Sequence, residues 1–288
     1  MMERMDRREE LSDFLRTRRA RVQPESVGLR RQSRGRAPGL RREDVAQLAG
    51  VSVDYYTRIE QGRGRNPSPE ILAAIGRALN LDEDEQRHLE ALALTEARPA
   101  RAPQRGGERV RPGVQRLLDA FSATTPAFVL GRRMDVIAWN PLAAALIADF
   151  GALPAARRNM VWLAFMDPAA REFYRDWEEV ARESIAHLRL ACGRYPDDAA
   201  LAALVGELSV KSEDFRRLWS KHDVKEKGFG RKRLYHRSVG ELELDYEAFA
   251  LSDGGGKTLV TYTAEAGSSS EQALQLLGVV GVPDVVAI

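Results

Sequence analysis

The sequence predicts two domains of different class: an all-α bundle of five short helices, then an α+β domain in which an antiparallel sheet carries several helices. Three observations predict this. Apolar residues recur at helical spacing between residues 8 and 95. Residues 96–113 (EARPARAPQRGGERVRPG) are rich in Pro, Gly and Arg without periodicity, as a linker is. Beyond them, short β-rich runs bounded by turn residues flank a long helical block. The expected partition is 1–96 for the first domain, 97–113 for the linker, 114–266 for the second domain and 267–288 for an apolar tail.

The first helix is predicted from Arg8 to Val22, where Leu11, Phe14, Leu15 and Val22 share one stripe. The segment Gln23 to Gly39 holds Pro24, Gly28, Gly35, Pro38 and Gly39 among Arg30, Arg31, Arg34 and Arg36, and reads as a basic loop. Helical spacing resumes from Arg41 to Ala49, and Gly50 closes it. Ser52 is a suitable N-cap for a helix from Val53 to Gln61, with Gly62 after it. Ser68 and Pro69 start a fourth helix, and Asp82 starts a fifth.

In the second domain, Ala127 to Gly131 and Val136 to Trp139 form a predicted hairpin that leads into a helix from Pro141 to Phe150. A helical block from Asn159 to Val224 is expected to break near Asp167–Pro168, at Gly193 and at Ser209. Strands follow at Lys232 to Val239, Glu241 to Leu251 and Lys257 to Ala264. The middle one alternates Leu242, Leu244, Tyr246 and Ala248 with Glu241, Glu243, Asp245 and Glu247, so one face is expected buried and the other wet.

The totals narrow the function classes. A single cysteine, Cys192, excludes an intramolecular disulfide, and no Cys/His spacing suits a metal. No stretch approaches the roughly 20 apolar residues of a membrane span, so a cytoplasmic chain with no membrane partner is expected. Net charge is only +2, yet thirteen arginines face six acids between Met1 and Arg42, a local field suited to phosphates. Lysine is absent before Lys211, so compositional bias explains part of that excess. No nucleophile elbow, phosphate loop or His/Asp/Ser constellation marks an enzyme, so no catalytic residue is expected.

The segment Gly39 to Leu72, GLRREDVAQLAGVSVDYYTRIEQGRGRNPSPEIL, resembles the helix-turn-helix of Xre-family regulators over its full length. Ala46 and Gly50 match the small residues where two helices cross, and Val45, Leu48, Val51, Tyr56 and Ile59 match buried positions. The resemblance implies a double-stranded DNA operator, with the helix that begins at Val53 in the major groove. By helical phase its outward residues are Val53, Asp54, Thr57, Arg58 and Gln61. Arg58 suits guanine, Asp54 cytosine N4, and Val53 or Thr57 a thymine methyl. Arg42 and Gln47 suit phosphates, and Ser52, Tyr55, Arg63 and Arg65 complete the expected DNA-binding set. Asp54 also suits the helix dipole or a pair with Arg58, and Tyr55 suits either a core edge or a phosphate. The chain departs from the Xre pattern in the inserted basic segment from Val22 to Pro38.

That insertion, with LGRRMDVIAWNPLAAAL, FMDPAAREFYRDWEEVARE, LVGELSVKSEDFRRLWSKHDV and GELELDYEAFAL, resembles the MmyB-like transcription regulators across residues 10 to 266. The resemblance implies a PAS-like ligand-binding domain and, as effector, a fatty acid. An acyl site needs apolar walls and a polar group for its head. Trp139, Met160, Trp162, Phe165 and Trp177 are the expected walls, and Asn140, Arg182, His187 and His222 the expected polar partners. Four of these have a structural alternative: Asn140 as a helix cap, Trp177 as core, Arg182 in a surface ion pair, His222 in a core hydrogen bond. A homodimer is expected, and a second domain that serves only dimerisation or protein contact is the alternative.

Overall fold

The computed structural model describes residues 7–29, 39–63, 67–93, 109–121, 124–221, 228–252 and 255–280. Arg30, Arg31, Arg34 and Arg36 of the basic segment, most of the linker and the last residues of the tail lie outside them. The helices in chain order begin with α1 (Arg7–Arg21), α2 (Arg42–Ala49), α3 (Val53–Glu60), α4 (Pro69–Ala78), α5 (Glu83–Ala93) and α6 (Pro112–Ala120). The hairpin β1 (Ala127–Leu130) and β2 (Val136–Trp139) precedes α7 (Pro141–Leu146), α8 (Met160–Met166), α9 (Ala170–Phe173), α10 (Trp177–Arg194), α11 (Ala199–Lys211) and α12 (Glu213–Trp219). Strands β3 (Phe229–His236), β4 (Gly240–Ala250) and β5 (Thr258–Thr263) lead to α13 (Ser269–Val280).

These elements form two compact units. The first takes Met1–Ala100 with Arg189–Glu207 and Arg217–Glu226; the second takes Arg101–Leu188, Leu208–Arg216 and Lys227–Ile288. In the first unit the apolar stripe of α1 meets Val45, Tyr56, Ile59, Leu72, Ile75 and Leu89 in one core. The chain re-enters after the basic segment with the Leu40 N–H donating to the Arg19 carbonyl at 3.0 Å. Gly39 makes that approach possible, because a Cβ there would stand 2.4 Å from the Arg19 oxygen, at φ +85°.

Leu48 departs from expectation. It is 37% exposed, and Ala49 packs against the core in its place. On a helix of two turns the covered stripe is narrow, and residues 45, 46 and 49 fill it. Gly50 also differs from its expected crossing role: it closes α2 in the left-handed region with open space around it.

The second unit is built on one antiparallel sheet in the order β2-β1-β5-β4-β3, the PAS-like α+β arrangement expected. Register fixes its two faces. Phe128 pairs with Trp139 and Val260, Tyr246 with Tyr262, and Lys232 with Leu244, so these residues share the inner face. On β4 the expected alternation is present: Leu242, Leu244 and Tyr246 are buried, and Glu241, Glu243 and Glu247 are exposed. The outer face at β1, β2 and β5 is covered by Val114 and Leu118 of α6, against Ala127, Val129, Ala138 and Leu259.

Two predicted helix breaks fall slightly later in the chain. Helix α10 ends at Arg194, one residue past Gly193, where a Cβ would meet His88 Cε1 at 2.9 Å, so this glycine also admits an imidazole. Helix α11 continues through Ser209 to Lys211, and Ser212 caps α12 by accepting from the Phe215 N–H at 3.2 Å. The tail is helical as far as Val280 and buries Ala273, Leu274 and Leu277. Among the described residues no helix is long and apolar enough to cross a membrane.

Candidate functional site

The helix-turn-helix is set by caps. The Arg41 N–H donates to Asp44 Oδ2 at 2.7 Å at the start of α2, and Ser52 Oγ accepts from the Tyr55 N–H at 3.1 Å at the start of α3. Tyr56, Ile59 and Glu60 face inward from α3. Val53, Asp54, Arg58 and Gln61 are exposed, and Thr57 is half-buried beside them. Arg58 and Asp54 pair at 2.7 Å, with side chains 63% and 71% exposed. A pair so exposed is worth well under about 1 kcal/mol, so it opens at little cost. Gln47, Ser52 and Arg63 are exposed, Tyr55 packs against the core edge, and Arg65 lies outside the described residues.

Arg42 does more than face solvent. Its guanidinium meets Glu60 Oε1 at 2.7 Å, while Arg19 meets Glu60 Oε2 at 2.9 Å and also donates to the Leu40 carbonyl at 2.8 Å. One buried carboxylate thereby fastens α1, α2 and α3 together and fixes the pose of the exposed face of α3. Burial alone would raise the Glu60 carboxyl, but the hydrogen bonds from Arg19 and Arg42 outweigh it and hold the group below the ordinary carboxylate range. A second node repeats the device. Glu85 pairs with Arg18 at 3.0 Å and Arg21 at 2.7 Å, and its other oxygen accepts from the Asp82 N–H at 3.2 Å. Sequence reasoning attributed these arginines to a phosphate-seeking field and missed both nodes. The signal was available: Arg18 lies in the stripe of Leu11, Phe14, Leu15 and Val22, and Glu85 lies in that of Leu89 and Leu92.

In the second unit the expected ligand residues fall into two groups. Phe165 and Trp177 join Phe215 in edge-on contacts, with centroids 5.7 Å and 5.2 Å from the Phe165 ring. Trp177 is buried and donates its indole N–H to the Ala164 carbonyl at 2.8 Å. Trp139 is half-buried on the inner sheet face and lies 5.4 Å from Phe150. Trp162, with Arg157 over its ring at 5.3 Å, and Met160 are half-buried on α8.

The expected polar partners are dispersed. Asn140 is fully buried and engaged: Oδ1 accepts from Ala127 and Ala143, and Nδ2 donates to the Thr125 carbonyl at 2.8 Å. Arg182 pairs with Glu178 at 2.7 Å on the exposed side of α10. His187 is half-buried on the same helix, and His222 lies outside the described residues.

A polar cluster that sequence reasoning missed lies on the inner sheet face. Lys232 is 8% exposed, pairs with Glu183 of α10 and stands 5.1 Å above the Tyr246 ring. Tyr246 lies 6.1 Å from Tyr262, whose hydroxyl is pushed up by burial and by nearby Tyr174, Tyr246 and Glu183. The signal was phase: Lys232 alternates with buried Leu234. In the first unit, an open recess lined in part by Leu92, Cys192, Tyr195 and Leu201 includes none of the expected ligand residues. Burial pushes the Cys192 thiol up to about 12, which leaves it a poor nucleophile.

Two family models match the chain. One, described as the MmyB-like transcription regulator ligand binding domain, matches residues 110–277, and a helix-turn-helix domain model matches residues 10–89. A search of curated proteins found no match. The first model covers more than half of the chain and falls on the sheet and its helices, and the second falls on the capped helices with their exposed α3 face. The chain therefore belongs to the MmyB-like transcription regulators, as a DNA-binding regulator with a ligand-binding domain.

Proposed function

We propose that this chain is a one-component regulator that binds a two-half-site DNA operator as a homodimer, and whose affinity is set by a fatty acid or another acyl compound. The observation that supports the ligand class is a row of rings on the inner sheet face. Trp139, Phe150, Phe128, Tyr262 and Tyr246 follow one another with centroids 5.4, 6.5, 6.1 and 6.1 Å apart. The rings from Phe150 to Tyr246 are buried, so an alkyl chain gains continuous apolar contact along the row by displacing part of its present cover, and each buried methylene contributes about 0.8 kcal/mol. Affinity then rises with chain length until the site is full.

On the DNA side, Arg58, Thr57 and Val53 read bases and Gln47 contacts phosphate, while Arg42 is held by Glu60 at the edge of the same surface. Linkage requires that DNA change acyl affinity by the factor by which the acyl compound changes DNA affinity. The test uses delipidated full-length protein, a series of fatty acids from eight to eighteen carbons, and an operator obtained by binding selection. A thermal shift that grows with chain length, with a matching change in operator affinity, is the expected result. No response in either measurement overturns the acyl reading.

One observation favours a second reading, in which the second domain serves only dimerisation. Phe229 and Phe249 are 68% and 51% exposed. Both lie on the outer sheet face: Phe229 pairs with Glu247, two residues from Phe249. Under that reading Phe249→Ser abolishes the dimer, and no acyl compound alters operator binding.

A further inference from the structure

Lys232 is the residue of the second unit that burial explains least. Its strand places it on the inner face, between Gly230 and Leu234 and opposite Leu244, where every other described cross-strand neighbour is apolar or aromatic. A buried ion pair is no bargain for stability alone, since well-packed apolar side chains in its place are often neutral or better. The ammonium nevertheless sits at one end of the ring row, 5.1 Å above Tyr246, with Tyr262 as the next ring along. What it holds there is already a carboxylate, that of Glu183. Glu183 comes from α10, and its side chain is 20% exposed, so it can turn to water. The far end of the row, Trp139, is half-buried.

We propose that Lys232 is the head-group receptor of the ligand site: it exchanges the Glu183 carboxylate for the carboxylate of an acyl ligand whose chain lies along the ring row. Glu183 holds the ammonium in place when no ligand is bound, and competes with the ligand when one arrives. The site thus selects acids over neutral heads. A hydroxyl cannot replace the carboxylate that Lys232 gives up, and a buried unpaired ammonium is costly. This inference rests on the acyl reading above and adds to it the chemistry of the head.

The experiment compares dodecanoic acid with dodecanol on delipidated full-length protein, by titration calorimetry at one pH and salt. The wild-type chain is expected to bind the acid at least tenfold more tightly than the alcohol. In the double variant Lys232→Gln/Glu183→Gln, which leaves no unpaired buried charge, the preference falls to about one. In Glu183→Gln, where the neutral amide oxygen can still accept from Lys232, the acid binds several-fold more tightly than in wild type, because the charged competitor is gone; this arm stands on its own where the double variant does not fold. A double variant that keeps the acid preference overturns the assignment, as does a Glu183→Gln chain whose acid affinity is unchanged or lower. A wild-type chain that binds dodecanol as well as the acid overturns this inference alone, whereas one that binds neither overturns the acyl reading with it.

Discussion

Glu60 stands one helical turn after Tyr56, on the side of α3 that the bundle covers, and two arginines from two other helices close on it. Removing one member of a buried pair costs about 3–5 kcal/mol. Because Arg42 reaches solvent, Glu60→Ala is expected to cost about 2–3 kcal/mol in urea unfolding and to weaken operator binding beyond that loss of stability. The pH dependence follows from the lowered carboxyl. A group whose folded value lies below its unfolded value, about 4.3 for glutamate, stabilises above that unfolded value and loses the contribution as pH falls through the folded one. Wild type and Glu60→Gln should therefore differ most in Tm near neutral pH and converge only as pH falls through the lowered value of the folded carboxyl; a gap independent of pH would show that the ionised carboxylate is not what matters. Arg58→Ala, by contrast, should leave Tm unchanged and cost about 1–3 kcal/mol of specific binding per half-site, with relaxed preference at one base pair. A selected operator identical to that of wild type would remove Arg58 from the reading set. Gly39→Ala belongs with the strained cases. At φ +85° and 2.4 Å from the Arg19 oxygen, an added methyl should cost more than about 2 kcal/mol, read as a lower urea midpoint at unchanged slope.

At the scale of elements, Asn140 ties α7 to β1 and to the turn before it. It caps α7 through Ala143, accepts from the first residue of β1 and donates to the Thr125 carbonyl before it. Asn140→Ala removes a cap and strands two buried backbone groups, so a loss of about 3 kcal/mol is expected in denaturant unfolding. A loss below 1 kcal/mol would mean that water replaces the amide. The elements themselves were legible to differing degrees, for physical reasons. Strong local signals gave α2 to α5 and β1, β2 and β4 to within a residue or two: caps at Ser52 and Ser68, a proline at N1, and period-two alternation. Helix α6 was hidden because Pro112 and Gly113 read as linker, although its Val114 and Leu118 cover the sheet. The break expected at Gly193 comes one residue later, after Arg194, and the glycine's second role, room for His88, was not legible in the sequence. The buried charges were unread for a different reason. Charge suggests surface, and phase contradicts it at Arg18, Glu85 and Lys232; at all three, phase was right.

For the whole molecule, the order of residues along the chain and their order in space do not coincide. Leu190 packs against the core of the helix bundle, Gly193 admits His88, and Arg189, wholly buried, pairs with Glu10 of α1 and lies 4.1 Å over the Trp219 ring. All of these belong to the first unit, yet residues 189, 190, 193 and 219 fall within the segment matched by the ligand-binding family model. A graft that transplants residues 1–96 into another regulator therefore leaves part of its donor tissue behind. The excised piece keeps its exposed α3 but loses the cover over Glu10, His88 and Leu92, so it should melt well below the intact chain, with amides of α5 exchanging fastest. Equal protection of α5 in the excised piece and the intact chain would show that the graft takes whole. The ligand-binding segment is a stabilising graft partner of its own DNA-binding helices, and a hybrid built by exchange at the linker inherits a recognition surface on a weakened support.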